Sequence, residues 1–473
     1  VDGLPTRMLR RSDFESGQAG LQSEPDVNKQ SSRTPNDTKE ANHGRLSSVR
    51  KHTIKRRQRQ AVYLSIAAFS LLIAFIGIMT VNVSSDSTYL NITQRDLWSA
   101  VSVMVDGVET TSDSWLAPNV ESRDLPSPFI TIVALTYKFV GQVFHFSLSR
   151  EPITTTRIIL VMINLPLLMI FFAATVGCIE KVGSTNWSRY CGCVITCGAT
   201  ALLPLSCSLS YQLPAAAATA VTLWLYFFMA DRLEHSHLFS QRLWAIAGFT
   251  AGMAGVFHFY AAFMILPWLV LFAYLDYEEA QTFVGGLGLA FVFLCCSVAV
   301  GVFMVDQSPP QETQAYGLAT PEAELQNNTA IGHPSVRAVN TEAHSLIGHH
   351  SLLWLTPVWL ILPFAIVRGS EFEPAEFRRL TIAVVVVSLL CVLTGAAMRF
   401  GGYTDDTTQI FLSHTTWITP LWLLMLTPKI EEWGNSMRGK YAVLALTMVS
   451  VTSAVLSLPS IMSVPWTYLI WPL

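Results

Sequence analysis

The chain has 473 residues, of which 51% are hydrophobic and 13% charged, and its formal net charge is -3. Soluble chains carry about 25% charged residues, so this composition argues against a soluble enzyme, a disordered protein or a nucleic-acid binder. Many apolar runs reach the roughly 20 residues that cross a bilayer as helix, which predicts a polytopic membrane protein.

Residues 1–60 hold 13 of the 30 Lys and Arg but only 7 of the 33 Asp and Glu, a local net of +6 against -9 for the remainder. They are rich in Ser, Arg, Asn, Gln and Thr and lack hydrophobic periodicity. That predicts a disordered basic tail, 1–60, ahead of a transmembrane domain, 61–473. The acid-free run Arg45, Arg50, Lys51, Lys55, Arg56, Arg57 and Arg59 abuts the first apolar segment. By the positive-inside rule it places the N-terminus in the cytoplasm, with the chain in the plasma (inner) membrane. About 60 polar residues precede the first apolar run, so no secretory signal peptide is expected there.

The first span is predicted over 61–83. A loop, 84–128, follows with seven acids and only Arg95 and Arg123 as cations, a bias that puts it outside the cytoplasm. Further apolar segments lie near 129–147, 156–178, 190–210, 212–230, 243–258, 259–275 and 281–305. A second outward loop, 306–350, has five acids and one Arg. Segments near 351–367, 380–398, 408–427 and 441–458 complete the set. Counting forward from the basic tail and backward from the cationic turns at Arg378-Arg379 and Lys429–Lys440 gives answers that differ by one crossing. The suspect is 129–147, which starts at a Pro pair and contains Lys138, Gln142 and His145. The expected fold is an all-α transmembrane bundle of about 11–12 spans.

Cys191, Cys193 and Cys197 sit in an apolar run with no His or carboxylate beside them, so they read as helix-packing residues and no metal site is assigned. No internal repeat emerges, and the apolar runs hold few ionisable residues, which counts against an ion-coupled transporter.

Three outward elements carry unusual residue choices. The first is the loop holding Arg95, Asp96, Asp106, Arg123 and Asp124. A carboxylate at a membrane surface can act as general base or bind a divalent metal near phosphate, and an adjacent Arg can grip phosphate oxygens. The second is Gly348-His349-His350, where a polar loop enters a span. Adjacent His residues point to different sides of a helix, so one could face a cavity as phosphate donor while the other meets headgroups. The third is Arg399-Phe400-Gly401-Gly402-Tyr403-Thr404-Asp405-Asp406, whose paired Gly lets backbone approach a ligand closely. Solvated-loop and helix-capping readings of each remain open.

Taken in order, Arg95, Asp106-Gly107, Asp124 with Pro126 and Pro128, Gln212-Leu213-Pro214, the Gly-His-His to Leu-Thr-Pro-Val-Trp-Leu run at 348–360, and Phe400-Gly401-Gly402 through Trp417 and Pro420-Leu421-Trp422-Leu423 resemble a family. It is the C-type glycosyltransferases of bacteria, which include mannosyl- and aminoarabinosyl-transferases. The resemblance covers roughly residues 61–427. It implies transfer of a sugar from a polyprenyl-phosphate donor to an acceptor, on the non-cytoplasmic side and in contact with membrane lipid. Asp96 or Asp106 would be base or metal ligand. Arg95, Arg123, Asp124, His349, His350, Arg399 and Tyr403 would bind substrate. The resemblance leaves the cofactor unknown, a divalent metal ion being one option, and names neither sugar nor acceptor.

The chain departs from the family pattern in places. Where Lys is expected before paired prolines it has Leu125, an expected Asn-His pair is Tyr211-Gln212, and an Arg expected before Trp417 is missing. A diverged or inactive relative fits these departures. The alternative of another class is a polytopic transporter or a non-catalytic membrane scaffold.

Overall fold

The computed structural model describes residues 35–81, 92–106, 127–148, 150–234, 241–306, 356–370, 375–400 and 415–458, with backbone alone at 35–56, 92–96, 395–400 and a few other helix ends. Every regular element among them is helical. The contact pattern divides the chain into residues 1–60 and 61–473. Within the first unit the described backbone is helical from Pro35, the start of α1 (Pro35–Thr80).

In the second unit the helices follow the apolar runs, and their starts carry familiar capping chemistry. α2 spans Ile92–Asp106. α3 (Pro128–Phe144) opens with Ser127, whose hydroxyl accepts the Ile130 amide, followed by Pro128 in the first turn. These are two features that suit a helix N-terminus. α4 (Pro152–Val182) also begins at a proline, and α5 (Asn186–Gly198) is capped by Thr185, which accepts the Ser188 amide. A short turn, α6 (Leu202–Leu205), leads to α7 (Gln212–Glu234) and α8 (Gln241–Phe257). A 3₁₀ turn, Phe259–Met264, runs into α9 (Ile265–Leu275), and α10 covers Ala280–Asp306. The 3₁₀ turn Pro357–Ile361 leads into α11 (Leu362–Ser370), and α12 covers Ala375–Phe400. The 3₁₀ turn Thr416–Ile418 leads into α13 (Thr419–Trp433), and α14 covers Met437–Leu456.

Six stretches are long and apolar enough to cross a membrane: Arg57–Thr80, Pro152–Val182, Gln212–Asp231, Ala280–Met304, Phe377–Thr394 and Met437–Leu456. Pro128–Phe144, Phe259–Leu275 and Pro357–Val367 are shorter apolar helical stretches.

Side-chain bonds fix the direction of each pass. Tyr63 near the start of α1's apolar part donates to Glu180 at the end of α4, 2.6 Å away. At the other end the Arg157 guanidinium, in the first turns of α4, donates twice to the carbonyl of Val81, at 2.7 and 3.1 Å. α1 and α4 are therefore antiparallel, and the bundle has a Tyr63 end and a Val81 end. The Tyr63 end is laced by polar contacts. Arg189 on α5 lies 3.8 Å from Glu180, Lys181 pairs with Asp231 of α7 at 2.7 Å, and Ser184 donates through its amide and hydroxyl to Glu431 of α13. Arg379 at the start of α12 stacks over Tyr274 at the end of α9, 4.0 Å from its centroid. Phe272 of α9 packs on Tyr226 near the end of α7, centroids 5.5 Å apart, so the cationic turns at Arg378-Arg379 and Lys429 share one end.

From these anchors eleven helical stretches of the described residues run from one end toward the other, six of them long and apolar enough to cross a membrane. The eleven are α1, α4, the α5–α6 stretch, α7, α8, α9 with its 3₁₀ turn, α10, α11 with its 3₁₀ turn, α12, α13 with its 3₁₀ turn, and α14. α3 is the segment left over. α1 ends and α4 begins at the Val81 end, so the chain between them makes no net crossing. α2 has 15 residues and α3 17, so this return to the Val81 end, and not their length, sets them apart from a pass such as the 17-residue α8. The stretch that starts and ends at the Val81 end contains 129–147, the segment suspected from the sequence.

One predicted span differs from expectation. The run 190–210 is not one helix: α5 stops at Gly198, and 199–211 winds through short turns containing Pro204 and Ser206, Cys207, Ser208 and Ser210. Such backbone needs partners inside an apolar bundle. Buried Asn164 of α4 supplies them, its amide donating to the carbonyls of Ser206 and Ser208, each at 2.8 Å.

α8 and α10 run parallel and touch at backbone level. A Cβ at Gly248 would stand 2.8 Å from the carbonyl carbon of Phe283 and 3.2 Å from the Cα of Gly286. One at Gly286 would stand 2.7 Å from the amide nitrogen of Phe249. Small residues at this seam let the two backbones approach where side chains would hold them apart.

Candidate functional site

The three elements singled out by sequence are separated by hundreds of residues, yet the described flanks of all three open at the Val81 end. α2 follows α1 and precedes α3 in the chain. Its Leu97, Trp98, Val101 and Met104 are buried along with Ser99 and Ser102, and it packs on α3 and α10. The 3₁₀ turn at Pro357 begins a pass toward the Tyr63 end. The Val358 amide there donates to Ser450 in the far half of α14 at 2.9 Å, and Trp359 meets Trp422 edge-on with centroids 5.4 Å apart. α12 arrives at this end with Phe400, and α13 leaves it after buried Trp417. Trp422 ties the two together by donating to Ser388 at 3.0 Å.

Arg95 and Asp96 lie in the first turn or so of α2, and Asp106 is its last residue. Arg399 is the next-to-last residue of α12. At these four positions the backbone alone is described. Arg123, Asp124, His349, His350 and Tyr403 lie outside the described residues, so the predicted meeting of these side chains in one cleft falls outside them too.

The backbone of α2 does decide one point. Asp96 and Asp106 are ten positions apart on one helix, which sets their Cα atoms about 15 Å apart along the axis. Two carboxylates so placed cannot ligate one cation, since metal–oxygen bonds run only about 2.0–2.6 Å. They are alternatives for the role of base or ligand rather than partners in it. Among the described residues no group of three or more His, Cys, Asp and Glu is placed to hold a metal ion. All eight cysteines are free thiols.

Polar groups that the sequence reading did not single out organise the same end. Arg157 closes the C-terminus of α1, where helix carbonyls lack intrahelical partners and a cation is favourable. Ser127 caps α3 and donates to the Tyr211 hydroxyl at 3.3 Å, while Phe129 packs on Tyr211 with centroids 5.2 Å apart. This joins the end of the first loop to the start of α7. Ser210 donates to the Gln212 side chain at 2.9 Å and accepts its amide at 3.2 Å. Tyr211-Gln212, the departure from the family pattern, is thus built into the junction of α3 and α7. A lone Arg or Asn inside an apolar run leaves no periodic trace. The one signal available was that an ionisable residue in such a run needs a partner.

No family model and no curated protein matches the chain. Among solved structures, the Archaeoglobus fulgidus oligosaccharyltransferase in the apo form is similar at 12% identity and a TM-score of 0.45, covering 85% of this chain and 56% of that one. The archaeal oligosaccharyltransferase AglB from Archaeoglobus fulgidus, in complex with an inhibitory peptide and a dolichol-phosphate, is similar at 10% identity and a TM-score of 0.44, covering 84% and 56%. The Archaeoglobus fulgidus enzyme tethered to an acceptor peptide containing the NVT sequon gives 12% and 0.43, covering 85% and 55%. The chain therefore spans little more than half the length of these proteins. Likeness at this level carries no inference about activity or ligand.

Proposed function

We propose that the chain is an integral membrane glycosyltransferase that takes a sugar from a polyprenyl-phosphate donor and transfers it at the Val81 end. In this reading the basic segment 1–60 is a cytoplasmic tail, residues 61–473 are the transmembrane domain, and the Val81 end faces away from the cytoplasm of a bacterial plasma membrane. The C-type glycosyltransferase resemblance of 61–427 supplies the reaction class. The observation that carries the reading is that the flanks of all three candidate elements open at one end of the bundle. A lipid donor leaves its phosphate at headgroup level, so base, phosphate ligands and acceptor have to meet there.

Asp96 or Asp106 takes the proton from the acceptor as its nucleophilic atom bonds to the anomeric carbon. The bond from that carbon to the phosphate oxygen breaks, and the lipid phosphate departs with the electron pair. Arg95, Arg123 and Arg399 offset the charge on the departing phosphate, with His349 or His350 and Tyr403 as further donors and Asp124 orienting them. Preorganised cations in a water-poor site stabilise such charge more than they would in water. If a divalent ion takes part, Asp96 and Asp106 lie too far apart along α2 to ligate it together.

The test is sugar transfer by the purified chain in vesicles, with a panel of polyprenyl-phosphate sugars and radiolabelled product detection. Turnover that falls at least a hundredfold in either Asp96→Asn or Asp106→Asn, with the other variant active, is expected from a general-base role. No turnover with any donor and acceptor pair rejects the reading. A non-catalytic scaffold is the second reading, and Leu125 in place of the Lys implied by the family pattern is the observation favouring it.

A further inference from the structure

The segment that fails to cross has a surface of its own. α3 buries Phe129, Ile130, Val133, Ala134, Tyr137 and Val140 against the bundle. Its opposite stripe, Leu135, Lys138, Phe139, Gln142 and Val143, is exposed, at the i, i+3, i+4, i+7, i+8 spacing of one helix face. Leu135, Phe139, Val143 and Phe144 are each 47–52% exposed. Just past the helix end, Phe146 stacks on Phe144 with centroids 6.1 Å apart. His145 turns the chain back in a left-handed conformation, φ 61°. The return is held by the Leu148 amide donating to the Tyr137 hydroxyl at 3.0 Å.

The surroundings say what covers this stripe. Thr131 of α3 donates to the Ser297 carbonyl of α10 at 3.3 Å, and α10 exposes Phe291, Val292, Val300, Val302 and Phe303 along a helix long and apolar enough to cross a membrane. α3 therefore packs by the face opposite the stripe on α10, a helix whose own outer side is apolar and exposed. Both termini of the α3 segment sit at one end of the bundle. An apolar, aromatic face that also carries a Lys and a Gln suits the boundary between headgroups and acyl chains, where a long cationic side chain can reach a phosphate. The return loop adds Arg150 beside Glu151, both exposed, so the net positive charge of the strip rests on Lys138.

We infer that α3 lies in the membrane interface and binds anionic phospholipid headgroups, with Phe139, Val143 and Phe144 seated at the acyl boundary and Lys138 on the lipid phosphate. The inference holds whether or not the chain transfers sugar.

A photocrosslinking benzoylphenylalanine at Phe139 tests it in the full chain, reconstituted into vesicles of phosphatidylcholine with phosphatidylglycerol. The same probe at exposed Leu393 on α12 reports the bulk lipid ratio. The Phe139 probe should capture phospholipid, with phosphatidylglycerol enriched about fivefold over the Leu393 value, the gain one basic residue brings near a charged surface. Lys138→Gln should abolish the enrichment and Lys138→Arg should keep it, both variants unfolding at the parental temperature. Crosslinking to a second copy of the chain overturns the inference, and so does an enrichment that survives Lys138→Gln.

Discussion

Four glycines of α8 and α10 should respond to alanine in opposite directions. At Gly248 an added Cβ would be 2.8 Å from the Phe283 carbonyl carbon and nearer still to its oxygen, and at Gly286 it would be 2.7 Å from the Phe249 nitrogen and 2.9 Å from the Ala245 carbonyl carbon. Comfortable carbon contacts are about 3.5–4.0 Å, so the helices must separate by about 0.7 Å or more. The obstructing atoms are backbone and cannot rotate away. Overpacking of this kind costs about 1–3 kcal/mol, and the upper end applies because the whole α8–α10 seam opens. Helix propensity returns about 1 kcal/mol on going from Gly to Ala, leaving a net loss of about 2 kcal/mol. Gly285 and Gly288 on the same helix have nothing within 4 Å of an added Cβ, so there only the propensity gain of about 1 kcal/mol remains.

The neighbouring variants Gly285→Ala and Gly286→Ala should therefore differ by about 3 kcal/mol, the sum of those two effects. Heating the detergent-solubilised protein with a fluorogenic thiol reagent reads this out. Cys178, Cys193, Cys197, Cys207 and Cys391 are buried and react on unfolding, whereas exposed Cys295 and Cys296 set the baseline. Equal midpoints for the two variants would refute the close parallel packing of α8 and α10.

Asn164→Leu removes both donors from the Ser206 and Ser208 carbonyls, and the same assay should show a loss of about 2 kcal/mol or more. Unchanged stability would mean that 199–211 holds its shape without the clamp. Tyr63→Phe should cost about 1 kcal/mol through the lost bond to Glu180; a double-mutant cycle with Glu180→Ala should show the two effects to be non-additive. Cysteines placed at Ser47 and Ser112 should differ in reactivity toward a membrane-impermeant thiol reagent applied from outside, with Ser112 reacting and Ser47 protected. Equal labelling would refute the assignment of the two segments to opposite sides.

Most of the passes were readable because a span announces itself by length and apolarity alone, and the odd crossing was traceable to 129–147 from its Lys138, Gln142 and His145. What could not be read is tertiary. The run 190–210 is apolar enough for one helix, and its break is held by Asn164, a residue about 40 positions away on another helix. The α8–α10 seam depends on Gly248 facing Gly286, and no periodicity within either helix declares which face finds a partner. For the candidate site, charge bias pointed to Arg95, Asp96 and Asp106, but whether two acids can share a ligand follows from the helix that carries them. Arg157 went unnoticed because its partner is a backbone carbonyl, which every residue possesses.

The α8–α10 seam also imposes a schedule on synthesis. Its two halves are not adjacent in the chain: Gly286 comes thirty-eight positions after Gly248, with all of α9 between them. At about 5–20 residues per second, α8 waits roughly two to eight seconds before its partner exists. During that interval the glycine face of α8, Gly248 and Gly252, lacks Phe283, Gly286 and Ala290 of α10, which pack against it in the finished fold. α8 meanwhile has α7 to hold it, through the Thr222–Thr250 hydroxyl pair at 2.9 Å. The α7–α8 hairpin is thus the template, and α10 arrives later to close over it, with α9 displaced to the flank.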